Sequence, residues 1–88
     1  MLDYPSLAAV AAVVREGSFE KAAALLKITP SAVSQRVRGF EERLGIALVV
    51  RGQPCTATAQ GRALCAHFDK VRLLEADLPM SFANGMQD

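Results

Sequence analysis

The stretch that decides the fold runs from Ser18 to Arg51 and reads SFEKAAALLKITPSAVSQRVRGFEERLGIALVVR. It contains two short helical patterns, because apolar residues recur at spacings of three and four on either side of Thr29 and Pro30. Thr29 suits an N-cap and proline suits the first position of the next helix, so the connection is very short. The sequence therefore predicts two helices joined by a tight turn.

The second helix of this pair, expected over about residues 30–44, has two chemically different faces. Four apolar residues share one narrow arc of a helical wheel: Val33, Val37, Phe40 and Leu44. The opposite arc carries side chains able to bond phosphate oxygens or base edges: Ser31, Ser34, Gln35 and Arg38. Taken alone, a polar face favours an ordinary solvated surface. After a tight turn and a preceding helix, it is typical of a helix-turn-helix, whose first expected partner is double-stranded DNA.

Two further segments complete the predicted core. Ser18 can cap the first helix of the pair, whose inward residues would be Phe19, Ala22, Ala23 and Leu26. An earlier helix should begin after Asp3 or Tyr4, ahead of Pro5, and end at Gly17. Its apolar face would consist of Leu7, Val10, Ala11 and Val14. Three helices can then enclose one core.

A β-prone run follows the helix pair. Residues 48–51 are a candidate strand, residues 52–54 read Gly-Gln-Pro and suit a turn, and residues 55–57 can return as a second strand. The pattern predicts a small β-hairpin, the wing of a winged helix. The fold class is therefore all-α with a small β-hairpin.

The last predicted helix starts at Thr58, a residue type that suits an N-cap, and runs to about Leu78, where Pro79 stops it. Its apolar residues form one stripe: Leu64, Phe68, Val71, Leu74 and Leu78. A helix of about twenty residues spans about 30 Å, which is longer than the core of so small a domain can cover. We therefore expect part of the stripe to pair with a second copy of the chain in a homodimer.

The order and spacing of these residues carry a family resemblance over about residues 5–78. The matching positions are Phe19-x-x-Ala22-Ala23-x-x-Leu26, Ser31-Ala32-Val33-Ser34, Phe40-Glu41, Leu44-Gly45, Leu48, Arg51, Thr58 and Gly61. Together they resemble the N-terminal domain of LysR-type transcriptional regulators. The resemblance implies a cytoplasmic, bacterial-type regulator that binds operator DNA as a homodimer, with a linker helix pairing two subunits. A small-molecule effector would bind only through a C-terminal domain that these 88 residues do not include.

The resemblance also implies a division of the chain and a set of DNA contacts. Residues 1–57 would be the winged helix-turn-helix, 58–79 the linker and dimerisation helix, and 80–88 a tail. The expected DNA-binding residues are Thr29, Pro30, Ser31, Ser34, Gln35, Arg38, Arg51 and Gln53. The wing lacks the basic pair that many members carry. Its Pro54-Cys55 step and the Gln60-Gly61 pair resemble the subgroup that controls basic amino-acid export.

Charge and composition fit this interpretation and exclude others. The formal net charge is only +1, but residues 28–62 hold five arginines against two glutamates, a local balance of +3. Cys55 and Cys65 have neither zinc-site nor disulfide-framework spacing, so no metal or cofactor is expected. No apolar run reaches the roughly 18 residues of a membrane span, and no signal-peptide pattern is present.

Two function classes therefore remain to be separated. The sequence shows no nucleophile with a positioned base and no phosphate-cradling glycine loop, so an enzyme is not expected. The alternative to DNA binding is a winged helix used only for protein interaction or dimerisation. Such a module would present exposed aromatic residues or leucines on the second helix, where this chain has serines, glutamine and arginine.

Overall fold

A computed structural model describes residues 3–76, with side chains to residue 70. The elements in chain order are α1 (Tyr4–Glu16), α2 (Phe19–Leu26), α3 (Pro30–Leu44), β1 (Val49–Val50), β2 (Thr56–Ala57) and α4 (Ala59–Ala76). The two strands are antiparallel, with Val49 opposite Ala57 and Val50 opposite Thr56. The predicted fold class, a helical winged helix-turn-helix followed by a long helix, is confirmed.

The helix boundaries follow from local chemistry. Ser18 Oγ accepts hydrogen bonds from the amides of Glu20 and Lys21, at 3.1 and 3.2 Å. Thr29 Oγ1 accepts one from the amide of Ala32 at 3.0 Å, and Pro30 follows as the first helical residue. Both side chains satisfy amides that a helix start leaves without partners. The predicted caps at Ser18 and Thr29 are therefore confirmed.

Helix α1 is the centre of the domain. It packs against α2, α3, α4 and both strands. The sequence predicted one apolar face, but Ala9, Ala12 and Val13 are buried as well, whereas Val14 is only partly covered. Because neighbours lie on several sides of α1, its buried surface is wider than the single stripe of a surface helix. Small alanines, including Ala22 and Ala23 on α2, allow these helices to approach closely.

The apolar arc of α3 is shorter than predicted. Val33, Val37 and Phe40 are buried, but Leu44 is 41% exposed. Leu44 occupies the final turn of α3, just before the chain leaves the helix at Gly45. Leu48, which follows this turn, is fully buried. The expectation that Leu44 belongs to the buried face is wrong, because α3 projects beyond the core at this end.

The first half of α4 rests on its own domain. Phe68 is 6% exposed and its ring lies 5.4 Å from that of Tyr4, while Leu64 is partly buried against the same core. The predicted stripe residues Val71 and Leu74 belong to α4, but their side chains are not among those described. Leu78 and the predicted end of the helix lie outside the described residues.

The start of α4 is pressed against the chain segment that precedes β1. The Thr58 amide donates to the Leu48 carbonyl at 3.1 Å, and Thr58 Oγ1 donates to the Ala47 carbonyl at 2.7 Å. Thr58 Oγ1 also accepts from the Gly61 amide at 3.0 Å, which makes it the predicted N-cap. A Cβ at Gly61 would overlap the Leu48 carbonyl. Glycine is required here by the close approach of two backbones.

We expect Gly61→Ala to destabilise the domain by about 1 to 3 kcal/mol, because the new methyl group must displace backbone. Gly39→Ala is the matched control, since a Cβ there meets only the end of the Arg43 side chain at an ordinary 3.6 Å. In a helix interior that control should gain about 0.5 to 1 kcal/mol. Urea unfolding followed by circular dichroism measures both changes. Equal unfolding midpoints for the Gly61 variant and the native chain would contradict the close approach.

The beginning of α1 is connected to the end of α3 by side chains. The Asp3 carboxylate accepts from Ser6 Oγ at 2.7 Å and from Arg43 Nη2 at 3.0 Å. The Ser6 hydroxyl bond, supported by the charges of Arg43 and Arg36, holds the pKa of Asp3 below its ordinary value. The network therefore favours the ionised carboxylate.

A lowered folded-state pKa means that the contribution of Asp3 is present above its unfolded-state pKa and is lost as the pH falls through the folded-state pKa. We expect Asp3→Asn to be less stable than the native chain near neutral pH. The difference in free energy of unfolding should shrink below about pH 4. Urea titrations at a series of pH values test this, and a difference that grows on acidification would refute it.

Candidate nucleic-acid interface

The polar face of α3 lies on the surface. Ser31, Gln35 and Arg38 are exposed, and Ser34 is partly buried. Spacings of three and four along a helix place all of them on one side. The burial of Val33, Val37 and Phe40 sets the rotation of α3, so that this polar side faces away from the core.

The amino end of α3 is part of the same surface. Thr29 and Pro30 are exposed, and the Thr29 side chain is turned back to cap the helix. The unpaired amides of a helix start and the positive end of the helix dipole favour anions such as phosphate. The face therefore combines hydrogen-bonding side chains with a favourable electrostatic end.

The wing is held against the turn between α1 and α2. The Cys55 amide donates to the Gly17 carbonyl at 2.9 Å. Gly17 has a φ of 74°, and a Cβ there would come within 3.0 Å of Pro54 Cβ, so a side chain is disfavoured by conformation and by space. The tip of the wing contains exposed Gln53 and a cis Gln53–Pro54 bond.

Arg51 is engaged within the protein. Its Nη1 atom is 3.8 Å from Glu41 Oε1, and its guanidinium carbon lies 5.1 Å from the centre of the Phe19 ring. The sequence predicts Arg51 as a DNA-binding residue and assigns Glu41 no contact within the fold. Position 41 is one helical turn after buried Val37, and this spacing was the available signal that Glu41 faces inward.

The arginines of residues 28–62 differ in their contacts. Arg43 pairs with Asp3, Arg51 lies beside Glu41, and Arg62 donates to the Ala57 carbonyl at 3.1 Å. Arg36 and Arg38 are exposed on α3. Three of the five arginines therefore also make contacts within the protein.

The two cysteines do not belong to a group of metal-ligating side chains within the described residues. Cys55 is buried, Cys65 is partly buried, and both are free thiols. Burial, together with the nearby Asp69 carboxylate, raises the pKa of the Cys65 thiol. Within residues 3–76, no group of three or more possible metal ligands occurs. None of the helices in that range is long and apolar enough to cross a membrane.

Comparison with known families identifies the arrangement. The model of the bacterial regulatory helix-turn-helix proteins of the LysR family matches residues 5–62, which include α1 to α3, the wing and the start of α4. The chain belongs to the LysR family. The resemblance predicted from the spacing of residues in α2, α3 and the wing is thereby confirmed.

Individual LysR-family relatives refine this result. The chain is 49% identical over 78 residues to the HTH-type transcriptional regulator ArgP of Pseudomonas fluorescens. The match covers 89% of this chain and 26% of that relative, so the chain spans about a quarter of the length of this curated relative. A full-length LysG of Corynebacterium glutamicum, solved with bound effector Arg, superposes with a TM-score of 0.86 and 38% identity over 97% of this chain and 29% of that one.

A shorter LysR-family structure matches from end to end. The DNA-binding domain of BenM, solved in complex with catB site 1 DNA, superposes with a TM-score of 0.82 and 32% identity. The match covers 99% of this chain and 97% of that one. The described fold therefore has the size and architecture of a domain that has been solved on DNA.

Proposed function

We propose that this chain is the sequence-specific DNA-binding domain of a LysR-family transcriptional regulator and inserts α3 into the major groove of operator DNA. The observation that carries the proposal is the exposed polar side of α3, held outward by three buried residues on its other side. The likeness to the BenM domain solved on DNA supports it. Such a regulator would act in the cytoplasm, by binding and not by catalysis.

Each residue of this face has a chemically suitable role. Gln35 can bond an adenine through two hydrogen bonds, and the hydroxyls of Ser31 and Ser34 can bond base edges or adjacent phosphates. Arg38 is suited to a phosphate. Thr29 and Pro30 would lie close to the DNA backbone at the amino end of the helix. A protein-docking face would expose aromatic or aliphatic groups where these polar side chains stand.

Gln53 is the wing residue proposed to reach DNA. It is exposed at the tip, between Gly52 and Pro54. Because the tip carries no charged side chain, its contact with the minor groove would depend more on groove width than on base identity. The wing would therefore add shape complementarity at the flank of the operator without adding an ionic contact.

We propose that α4 pairs with its copy to form a homodimer that presents two α3 helices to two half-sites. Leu64 and Phe68 already pack on the domain, so the second chain would cover mainly Val71, Leu74 and Leu78. Each large apolar side chain removed from water contributes about 1.5 to 3 kcal/mol. Pairing is thus the favourable outcome for this part of the stripe.

The longer protein is proposed to respond to a basic amino acid. ArgP and LysG are among the relatives matched, and a LysG structure holds arginine as effector. The chain spans about a quarter of ArgP, so the effector would bind in a part of the protein beyond these residues. The domain described here would then supply operator recognition only.

The proposed groove contacts are tested on a duplex of about 30 base pairs, or three turns, selected from a random library by the native chain. Gln35→Ala should lose about 1 to 3 kcal/mol of binding at one operator position, because it removes a base contact. Arg38→Ala should weaken binding to every duplex and flatten the dependence of log K on log salt by about 0.9 per subunit. Fluorescence anisotropy at several salt concentrations measures both effects.

Lys70→Ala is the control, since it removes an exposed cation from α4 instead of α3. It should leave the affinity for the selected duplex close to that of the native chain. If Gln35→Ala and Arg38→Ala bind no more weakly than this control, α3 does not occupy the groove.

The proposed dimer is tested by the pair Val71→Asp and Leu74→Asp, which places two carboxylates in the stripe. The double variant should be a folded monomer with much weaker operator binding, because linked half-sites raise one another's effective concentration. Sedimentation equilibrium and circular dichroism measure assembly and fold. A native chain that remains monomeric at tens of micromolar, on the order of ordinary dimer affinities, would contradict the proposal.

A further inference from the structure

One carboxylate connects α3 to the wing. Glu41 Oε2 accepts hydrogen bonds from the amides of Leu48 and Val49, at 2.8 and 3.2 Å. The other oxygen, Oε1, is 3.8 Å from Arg51 Nη1. The Glu41 side chain is only 14% exposed. A single residue of the helix proposed to enter the groove thus contacts the chain before β1, β1 itself and the residue just after it.

Arg51 extends this connection to α2. Its guanidinium lies over the ring of Phe19, the first residue of α2, at 5.1 Å from the ring centre. A cation over an aromatic face is attracted by the negative charge of that face. The contacts from Glu41 to Arg51 and from Arg51 to Phe19 therefore link α3, the wing and α2.

The wing needs such external supports. Each of its strands has two residues, and a two-stranded hairpin of this size has little stability of its own in water. The return strand is supported by the Cys55 amide, which bonds the Gly17 carbonyl. The outgoing strand is supported by Glu41, through the amides of Leu48 and Val49. The position of the wing relative to α3 depends on the second of these supports.

We propose that Glu41 and Arg51 are positioning residues that set the placement of the wing relative to α3, and that Arg51 does not bind a phosphate. This inference rests on the proposed function, because the placement matters only if both elements meet one duplex. The Arg51 guanidinium already lies between the Glu41 carboxylate and the Phe19 ring, and a phosphate would have to compete with the carboxylate for its charge. The positive charge of Arg51 is instead used to hold the wing.

The direction in which Glu41→Gln changes DNA affinity separates a positioning role from simple electrostatics. Glu41→Gln removes a negative charge from a domain that binds a polyanion, so electrostatics alone predicts tighter binding. If Glu41 positions the wing, the same change weakens binding, because the neutral amide no longer holds Arg51. Glu42→Gln is the matched control: it removes the same charge from the next residue, which is exposed.

We expect Glu41→Gln to bind the selected duplex about ten-fold more weakly than Glu42→Gln, because a neutral amide weakens the two bonds to the Leu48 and Val49 amides and loses the ion pair with Arg51. Hydroxyl-radical footprinting should show loss of protection at the operator flank, with protection at the α3 site retained. A general loss of structure would reduce both regions together. Equal affinities for the two glutamine variants, or an unchanged flank footprint, would overturn the proposal.

Arg51→Gln provides a second test that does not depend on the Glu41 variant folding, since the Arg51 side chain is 44% exposed. A positioning role predicts weaker binding and loss of flank protection with an unchanged salt dependence, because the wing tip has no ionic contact to lose. A phosphate contact predicts that the slope of log K against log salt flattens by about 0.9 per subunit. That flattening would overturn the proposal.

The same assay separates a failure of DNA binding from a failure of the positioning role alone. If the native 88-residue chain selects no duplex from the random library, the proposed function fails and the positioning role falls with it. If the native chain binds and Glu41→Gln matches Glu42→Gln, only the positioning role fails. Circular dichroism of each variant establishes that the compared proteins are folded.

Discussion

The peptide groups of Leu48 are the point on which the arrangement of the domain depends. The Leu48 amide donates to Glu41 of α3, and its carbonyl accepts from the Thr58 amide at the start of α4. Its side chain is fully buried in the core. One residue between elements therefore joins the helix proposed for recognition, the wing and the long helix. Burying these backbone groups without partners would cost free energy, and each of them has a partner.

The small size of the domain explains why such contacts matter. A chain this short buries a limited apolar surface, so its core is supplemented by close backbone approach and by well-placed polar groups. Alanines around α1 and the missing side chain at Gly61 bring helices and backbone together. The caps at Ser18 and Thr29 complete helix ends that lie at the surface. Each of these contacts adds stability to a domain whose buried apolar surface is small.

What could be predicted from the sequence was mainly local. The caps at Ser18, Thr29 and Thr58 depend on residues two or three positions apart, and the hairpin depends on a turn between two β-prone runs. The burial of Val33, Val37 and Phe40 followed from helical periodicity. The polar face of α3 was found in the same way, as the complement of that buried arc.

What could not be predicted depends on distant partners. Arg43 is paired with Asp3, forty positions earlier, and Arg51 lies on Phe19, so neither arginine could be assigned to its surface from spacing alone. The exposure of Leu44 reflects how far the core extends along α3, which periodicity does not report. Local patterns thus located the candidate site, whereas the partners of its charged residues within the protein are set by tertiary contacts.

The bonds between Thr58 and residues 47 and 48 also have a mechanical consequence. At the start of α4, the side chain and the amide of Thr58 are both hydrogen-bonded to the segment that leads into β1. A rotation of α4 about its axis would strain these two hydrogen bonds, and the Leu48 backbone that they hold leads directly into β1. A side chain at position 61 would hold the two apart. The start of α4 is therefore attached directly to the segment that leads into the outgoing strand of the wing.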